Sequence, residues 1–175
     1  MQTLKIALTI LAALLLQYLL PNYLGFFKYI DLPLVVTVYF ALQRDALLGM
    51  LTGIALGVGG DAIMGGVLGV GGFSKTLIGY LVAMASIKLS LENPLARLAV
   101  VAIASAANTL LYVALYQMLE QPLSDASTWG NLGKIIGWKA LADTVTAIIM
   151  FIVLDRIFAE QKAARRMAIK RRFYE

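Results

Sequence analysis

Apolar segments long enough to cross a membrane follow one another along this chain, with short polar stretches between them. The clearest are Thr3–Leu20, Leu98–Leu119 and Ile135–Leu154. A transmembrane helix needs about 20 mostly apolar residues, so each of these segments fits one crossing. The chain has 175 residues, of which 61% are hydrophobic and 14% charged, against roughly 45–50% and 25% in a soluble domain. We therefore predict an all-α polytopic membrane protein and exclude a soluble domain.

Six apolar segments fit this length as a six-transmembrane-helix bundle. The other three are Leu32–Leu42, Ala46–Gly60 and a segment centred on Leu77–Leu89. Leu32–Leu42 is the weakest, since eleven residues rise only about 17 Å as a helix. A five-span arrangement in which this segment is re-entrant is the alternative. We predict a transmembrane domain over residues 1–158 and a basic cytoplasmic tail over residues 159–175.

Lysine and arginine are unevenly divided between the two sides that six spans create. Of the fifteen basic residues, four fall on one side, and the remaining eleven on the other. The four are Lys28, Lys75, Lys134 and Lys139. Because cytoplasmic loops carry an excess of basic residues, this division predicts that both termini are cytoplasmic.

The tail has the pattern of a basic amphipathic helix. Its basic residues share one helical side, and they are Lys162, Arg165, Arg166 and Lys170. Such a helix suits an anionic lipid surface, at about 1 kcal/mol per basic residue. The alternative is a topology anchor with no further role.

A stripe of small residues runs through the third segment. Gly49, Gly53 and Gly57 are spaced by four and therefore lie on one helical face. In lipid, small residues at this spacing let helix backbones approach closely. The spacing leaves two interpretations open: packing within this chain, or an interface for a partner helix.

Four polar residues within or beside the apolar segments are candidate functional residues, because polar groups at membrane depth are costly. Asp61 follows the glycine stripe and either serves a functional site or caps the next segment. Asn108 lies in the fifth segment. Lys139 and Asp143, at i and i+4 in the sixth, are predicted to form an ion pair, or to line a polar cavity with Asn108.

No catalytic pattern is present. The chain has no Cys and no His, which excludes cysteine nucleophiles, imidazole bases and the usual zinc sites. The glycines at 65–72 lack the strand and the Lys of a nucleotide-binding loop. We expect no enzymatic activity, cofactor, metal or nucleic-acid partner.

The middle of the chain carries a specific order of motifs. Tyr39-Phe40-Ala41-Leu42 and Arg44-Asp45 precede the glycine stripe and Asp61, and a glycine-rich connector then leads to Leu77-Ile78-Gly79-Tyr80-Leu81. Over these residues the chain resembles the MreD family of rod shape-determining membrane proteins.

This resemblance implies a noncatalytic subunit of the cell-wall elongation machinery in the bacterial inner membrane. Its implied partners are an MreC-like single-span protein, RodA, a class B penicillin-binding protein and MreB filaments. The family fold is similar to the S-components of energy-coupling-factor vitamin transporters, so a vitamin-binding subunit is the alternative. Those subunits typically carry A-x-x-x-A on the first helix, whereas this chain has Leu11 four residues after Ala7, and Leu16 four after Ala12.

Overall fold

Six α-helices make up almost all of the chain that the structure describes, and no strand occurs among these residues. The computed structural model describes residues 2–23, 25, 29–89, 91, 93–121 and 129–159. The helices are α1 (Gln2–Tyr23), α2 (Leu32–Ala41), α3 (Ala46–Met64), α4 (Val70–Lys88), α5 (Pro94–Met118) and α6 (Trp129–Ile157). In this part of the chain α1, α3, α4 and α5 are long and apolar enough to cross a membrane. The predicted all-α membrane fold is therefore confirmed.

Polar side chains fix where three of the helices begin. Asp31, Asp45 and Asn93 precede α2, α3 and α5, and each accepts a hydrogen bond from a backbone N–H of the first turn. These bonds satisfy donors that a helix start leaves free.

The end of α3 differs from the sequence prediction. The glycine pair at 59–60 suggested an end at Gly60, but the helix continues to Met64 and ends at Gly65, whose φ of 72° is left-handed. Gly59 serves packing instead, since a Cβ there would lie 2.7 Å from Leu14 of α1. The predicted end of this helix was therefore wrong by four residues.

Helix α2 lies at the centre of the bundle. All ten of its residues are buried, and it contacts each of the other five helices. The ring of Tyr39 packs against Phe151 of α6, and the rings of Tyr39 and Phe40 both pack against Phe158, which directly follows α6. Ten residues rise about 15 Å, half of a hydrocarbon core of about 30 Å. The second predicted span is thus a short core helix, too short to cross a membrane by itself.

Packing contacts place the helix ends in two groups. The turn at 65–69 and the end of α5 lie together, since the Val67 N–H donates to the Tyr116 hydroxyl. Residues 29–31 line one cavity with Gly66 and Tyr112, and we call this group the Gly65 end. At the other end, the Arg97 end, Arg97 of α5 pairs with Asp155 of α6 at 3.6 Å. The end of α6 lies at the Arg97 end through this contact. The start of α1 lies there too, because Gln17, near the other end of α1, bonds to the Ile30 carbonyl at the Gly65 end.

Candidate functional site

The glycine stripe of α3 is filled by α4 of the same chain. A Cβ on Gly49 would lie 2.8 Å from the Gly79 carbonyl oxygen, and one on Gly53 would lie 2.6 Å from that of Lys75. A Cβ on Gly57 would collide with the backbone of Gly71. The two helices therefore touch backbone to backbone. No partner helix can reach this stripe while α4 covers it, so internal packing replaces the partner-helix interpretation.

Asp61 caps α4 from across the turn. Its carboxylate accepts hydrogen bonds from the Gly69 and Gly71 N–H groups, both at 2.9 Å. The negative charge also complements the positive end of the helix macrodipole. The carboxylate thus occupies the backbone donors of the glycine-rich turn, and this agrees with the capping interpretation of Asp61.

The predicted Lys139–Asp143 ion pair is absent, although both side chains lie in the described part of the chain. Asp143 instead accepts hydrogen bonds from the Asp31 N–H, at 2.7 Å, and from the Ser105 hydroxyl. Lys139 lies near enough to Asp31 and Asp143 to favour their charged forms, but it forms no ion pair with either of these described residues. The pair prediction was wrong because spacing on one helix does not show which groups neighbouring helices present.

A buried ion pair joins α4 to the residue before α2. The Lys75 ammonium lies 2.9 Å from an Asp31 carboxylate oxygen, and the two side chains are 10% and 19% exposed. Gln17 of α1 fixes the adjoining backbone, because its amide donates to the Ile30 carbonyl and accepts from the Leu32 N–H, each at 2.8 Å. These bonds hold the entry into α2 in one position.

These groups surround a cavity of about 620 Å³ at the Gly65 end. Its charged lining residues among those described are Asp31, Asp61, Lys75, Lys134 and Lys139. Ligand pockets typically enclose about 300–1,000 Å³ and place a few polar groups among apolar ones, so this cavity has the size and lining of a small-molecule site. In the described chain no three His, Cys, Asp or Glu side chains lie close enough to hold a metal.

Asn108 lines this cavity from α5 and is 4% exposed. Its side-chain oxygen is buried and accepts no hydrogen bond. Leaving such an acceptor unsatisfied costs about 1–3 kcal/mol. Asn108 and Lys139 therefore line one cavity, whereas Asp143, which the alternative interpretation placed with them, is not among its lining residues.

A second glycine pair lies on α6, and unlike the stripe of α3 it is not covered by another described helix. Gly133 and Gly137 are exposed, and a Cβ at either would meet nothing within 4 Å. Exposed apolar side chains follow them at helical spacing on the same helix: Leu141, Val145 and Ile148. We call this the open α6 face; it has the small-residue spacing that favours close helix approach in lipid.

The basic residues predicted to bind anionic lipid, Lys162, Arg165, Arg166 and Lys170, lie outside the described residues. Their assignment stays a prediction.

The sequence analysis did not identify three residues that bond to the groups around the cavity: Gln17, Lys75 and Ser105. Lys75 carried a usable signal, since it is a lysine within an apolar helix and intramembrane charges are paired. Its partner Asp31 is 44 positions away, too far for any spacing rule. Gln17 and Ser105 carried no signal that distinguishes them from ordinary helix residues.

The family model described as rod shape-determining protein MreD matches residues 1–160. No curated protein and no solved structure matches the chain.

Proposed function

Because the chain belongs to the MreD family of rod shape-determining proteins, we propose that it is a noncatalytic scaffold of the cell-wall elongation machinery. Family membership itself implies a role in rod shape determination. The finer proposal is that the chain binds the membrane-crossing helix of an MreC-like protein in the bacterial inner membrane. Through that partner it acts with RodA, a class B penicillin-binding protein and MreB filaments.

The open α6 face is the structural observation that supports a partner helix. Lipid tails are as apolar as leucine, so helices in a membrane associate through close packing rather than through a hydrophobic effect. Gly133 and Gly137 permit such packing and receive no helix from the described part of this chain. The stripe of α3 offers no such opening, since α4 fills it.

We expect Gly137→Leu to abolish most binding of an MreC-like partner while leaving the bundle intact. The leucine side chain would extend into open space and hold a partner backbone away. The measurement is co-purification of a co-expressed MreC-like protein, combined with the shape of cells that carry the variant as their only copy. Loss of the partner should accompany rounding of the cells.

The matched control is Ala114→Leu, which also adds a leucine to an exposed position on a helix, here α5. It should retain the partner and the rod shape. Full partner binding by Gly137→Leu, with rod-shaped cells, contradicts the proposed face. A partner that binds neither the native chain nor the variants contradicts the scaffold proposal itself.

The cavity at the Gly65 end favours one alternative, a substrate-binding S-component of an energy-coupling-factor transporter. That function predicts a vitamin that co-purifies with the chain and a normal cell shape when the gene is deleted. The first helix lacks the A-x-x-x-A pair of those subunits, so the scaffold remains the function we propose. Cell shape after deletion distinguishes the two.

The orientation of the bundle gives a direct test, because the chain has no native cysteine. Leu68 at the Gly65 end and Leu89 at the Arg97 end are 68% and 57% exposed. With both termini cytoplasmic, Leu68→Cys should react with a membrane-impermeant maleimide in intact spheroplasts. Leu89→Cys should react only after the membrane is permeabilised. The reverse pattern contradicts the proposed orientation.

A further inference from the structure

Two helices give the depth of the cavity at the Gly65 end. On α3 its described lining residues extend from Gly57 to Met64, and on α6 from Asn131 to Lys139. At 1.5 Å per residue these stretches rise about 10 and 12 Å, a third or more of a hydrocarbon core of about 30 Å. Met64 and Asn131 are exposed and Gly57 is buried, so the cavity opens at the Gly65 end and narrows toward the centre of the bundle.

Helix α2 closes the cavity on the side of the Arg97 end. Among the described lining residues only Pro33, in the first turn, belongs to this helix, and all ten of its residues are buried. Tyr39 and Phe40, toward the Arg97 end, are 0% exposed. In the described part of the chain the cavity therefore has its opening at the Gly65 end and its floor at the start of α2.

The lining of this cavity is too polar for a dry void. Five of its described lining residues are ionisable: Asp31, Asp61, Lys75, Lys134 and Lys139. Empty cavities in proteins are apolar, whereas polar cavities hold water. One water takes up about 30 Å³ in the liquid, so a volume of about 620 Å³ admits on the order of 20 molecules. Water therefore extends from the Gly65 end into the membrane-spanning part of the bundle.

The backbone before α2 supports the same conclusion. Gln17 lies six residues before the end of α1 at Tyr23, which is about 9 Å along the helix, and it bonds to the Ile30 carbonyl and the Leu32 N–H. Ile30 and Asp31 thus lie below the end of α1 but outside any helix. Irregular backbone at membrane depth is tolerated where protein buries it or where it lines a water-filled cavity, and both residues line this cavity.

We propose that the cavity is an aqueous vestibule, open to small water-soluble molecules at the Gly65 end, closed by α2 and inaccessible to lipid tails. The Lys75 and Asp31 side chains that line it are 10% and 19% exposed, so a solute that enters can reach this ion pair from one side of the membrane. The vestibule is separate from the open α6 face and does not rest on the proposed scaffold function.

Adjacent positions on α5 give a matched test, since the chain has no native cysteine. Thr109 lines the cavity and is 6% exposed, whereas Leu110 is not among the lining residues and is 53% exposed. Thiol reagents attack the thiolate, which apolar surroundings disfavour. In nanodiscs we expect a sulfonated methanethiosulfonate to modify Thr109→Cys about tenfold faster or more than Leu110→Cys, the reverse of the order of exposure. Intact-protein mass spectrometry measures both rates.

Two further variants keep this test decisive. Val113→Cys is a second lining position, 8% exposed, and replaces Thr109→Cys if that variant does not fold. Val101→Cys, at a buried position with 0% exposure outside the lining, should not react. Equal rates for the lining variants and either Leu110→Cys or Val101→Cys overturn the proposal. It is also overturned if the lining variants do not react under conditions that modify the exposed Leu68→Cys.

The side of entry is tested in spheroplasts with the same impermeant reagent, whichever way the bundle is oriented. Leu68→Cys marks the Gly65 end and Leu89→Cys marks the Arg97 end. Thr109→Cys should react from the side that labels Leu68→Cys. Reaction from the side that labels Leu89→Cys would show that α2 does not close the cavity, and it overturns the proposal.

Discussion

Gly53→Ala should destabilise the protein by about 1–3 kcal/mol or more, which is the cost of overpacking a tight interface. The added Cβ would lie 2.6 Å from the Lys75 carbonyl oxygen and 2.8 Å from the Thr76 Cα. Both are backbone atoms, so no rotamer change can relieve the contact and α3 must move away from α4. Thermal unfolding of the purified chain in detergent measures the effect.

Gly137→Ala is the matched control, since it is the same chemical change in the interior of another helix. Its Cβ would meet nothing within 4 Å. Replacing a helical glycine by alanine is favourable by roughly 0.5–1 kcal/mol, so this variant should melt slightly higher. Equal shifts for Gly53→Ala and Gly137→Ala would show that α4 does not cover the stripe of α3.

Lys75→Met should lower stability by about 3–5 kcal/mol, because it leaves the buried Asp31 carboxylate without its partner. The Asp143 carboxylate accepts from the Asp31 backbone, so a second negative group lies close by and increases the cost. The measurement is again thermal unfolding in detergent. Lys88→Met, an exposed change on the same helix, should have little effect.

A second substitution separates lost pairing from lost packing. Asp31→Asn removes the charge but retains a side-chain oxygen for the cap on the Leu34 N–H. The double variant Asp31→Asn with Lys75→Met should therefore recover part of the stability that Lys75→Met loses. If the double variant is no more stable than the worse single variant, the ion pair contributes nothing beyond the shape of the two side chains.

The helices themselves could be predicted from the sequence because lipid imposes a simple rule: apolar segments of sufficient length become helices. Contacts between residues close in sequence could also be predicted, such as the cap that Asp61 forms on the next helix. Which helix packs against a given helical face could not be predicted. The spacing of Gly53 and its neighbours is the same whether α4 or another protein covers the stripe.

The ion-pair prediction failed for the same reason. Lys139 and Asp143 have the spacing of a pair, yet Asp143 bonds to Asp31, 112 positions away. Lys75 contacts Asp31 only because α2 and α4 lie side by side. The cavity depends on all six helices and the residues before α2, so no local pattern could indicate it.

The burial of α2 has a consequence for how the chain is made. Every residue of this helix is covered in the finished bundle, yet it is the second helix to leave the ribosome, and four of the helices that cover it follow later. Until α6 is synthesised, the rings of Tyr39 and Phe40 lack Phe151 and Phe158, and Asp31 lacks Asp143. Assembly of the core therefore waits for the last helix. A chain truncated before α6 would present an incomplete core to the proteases that survey the membrane.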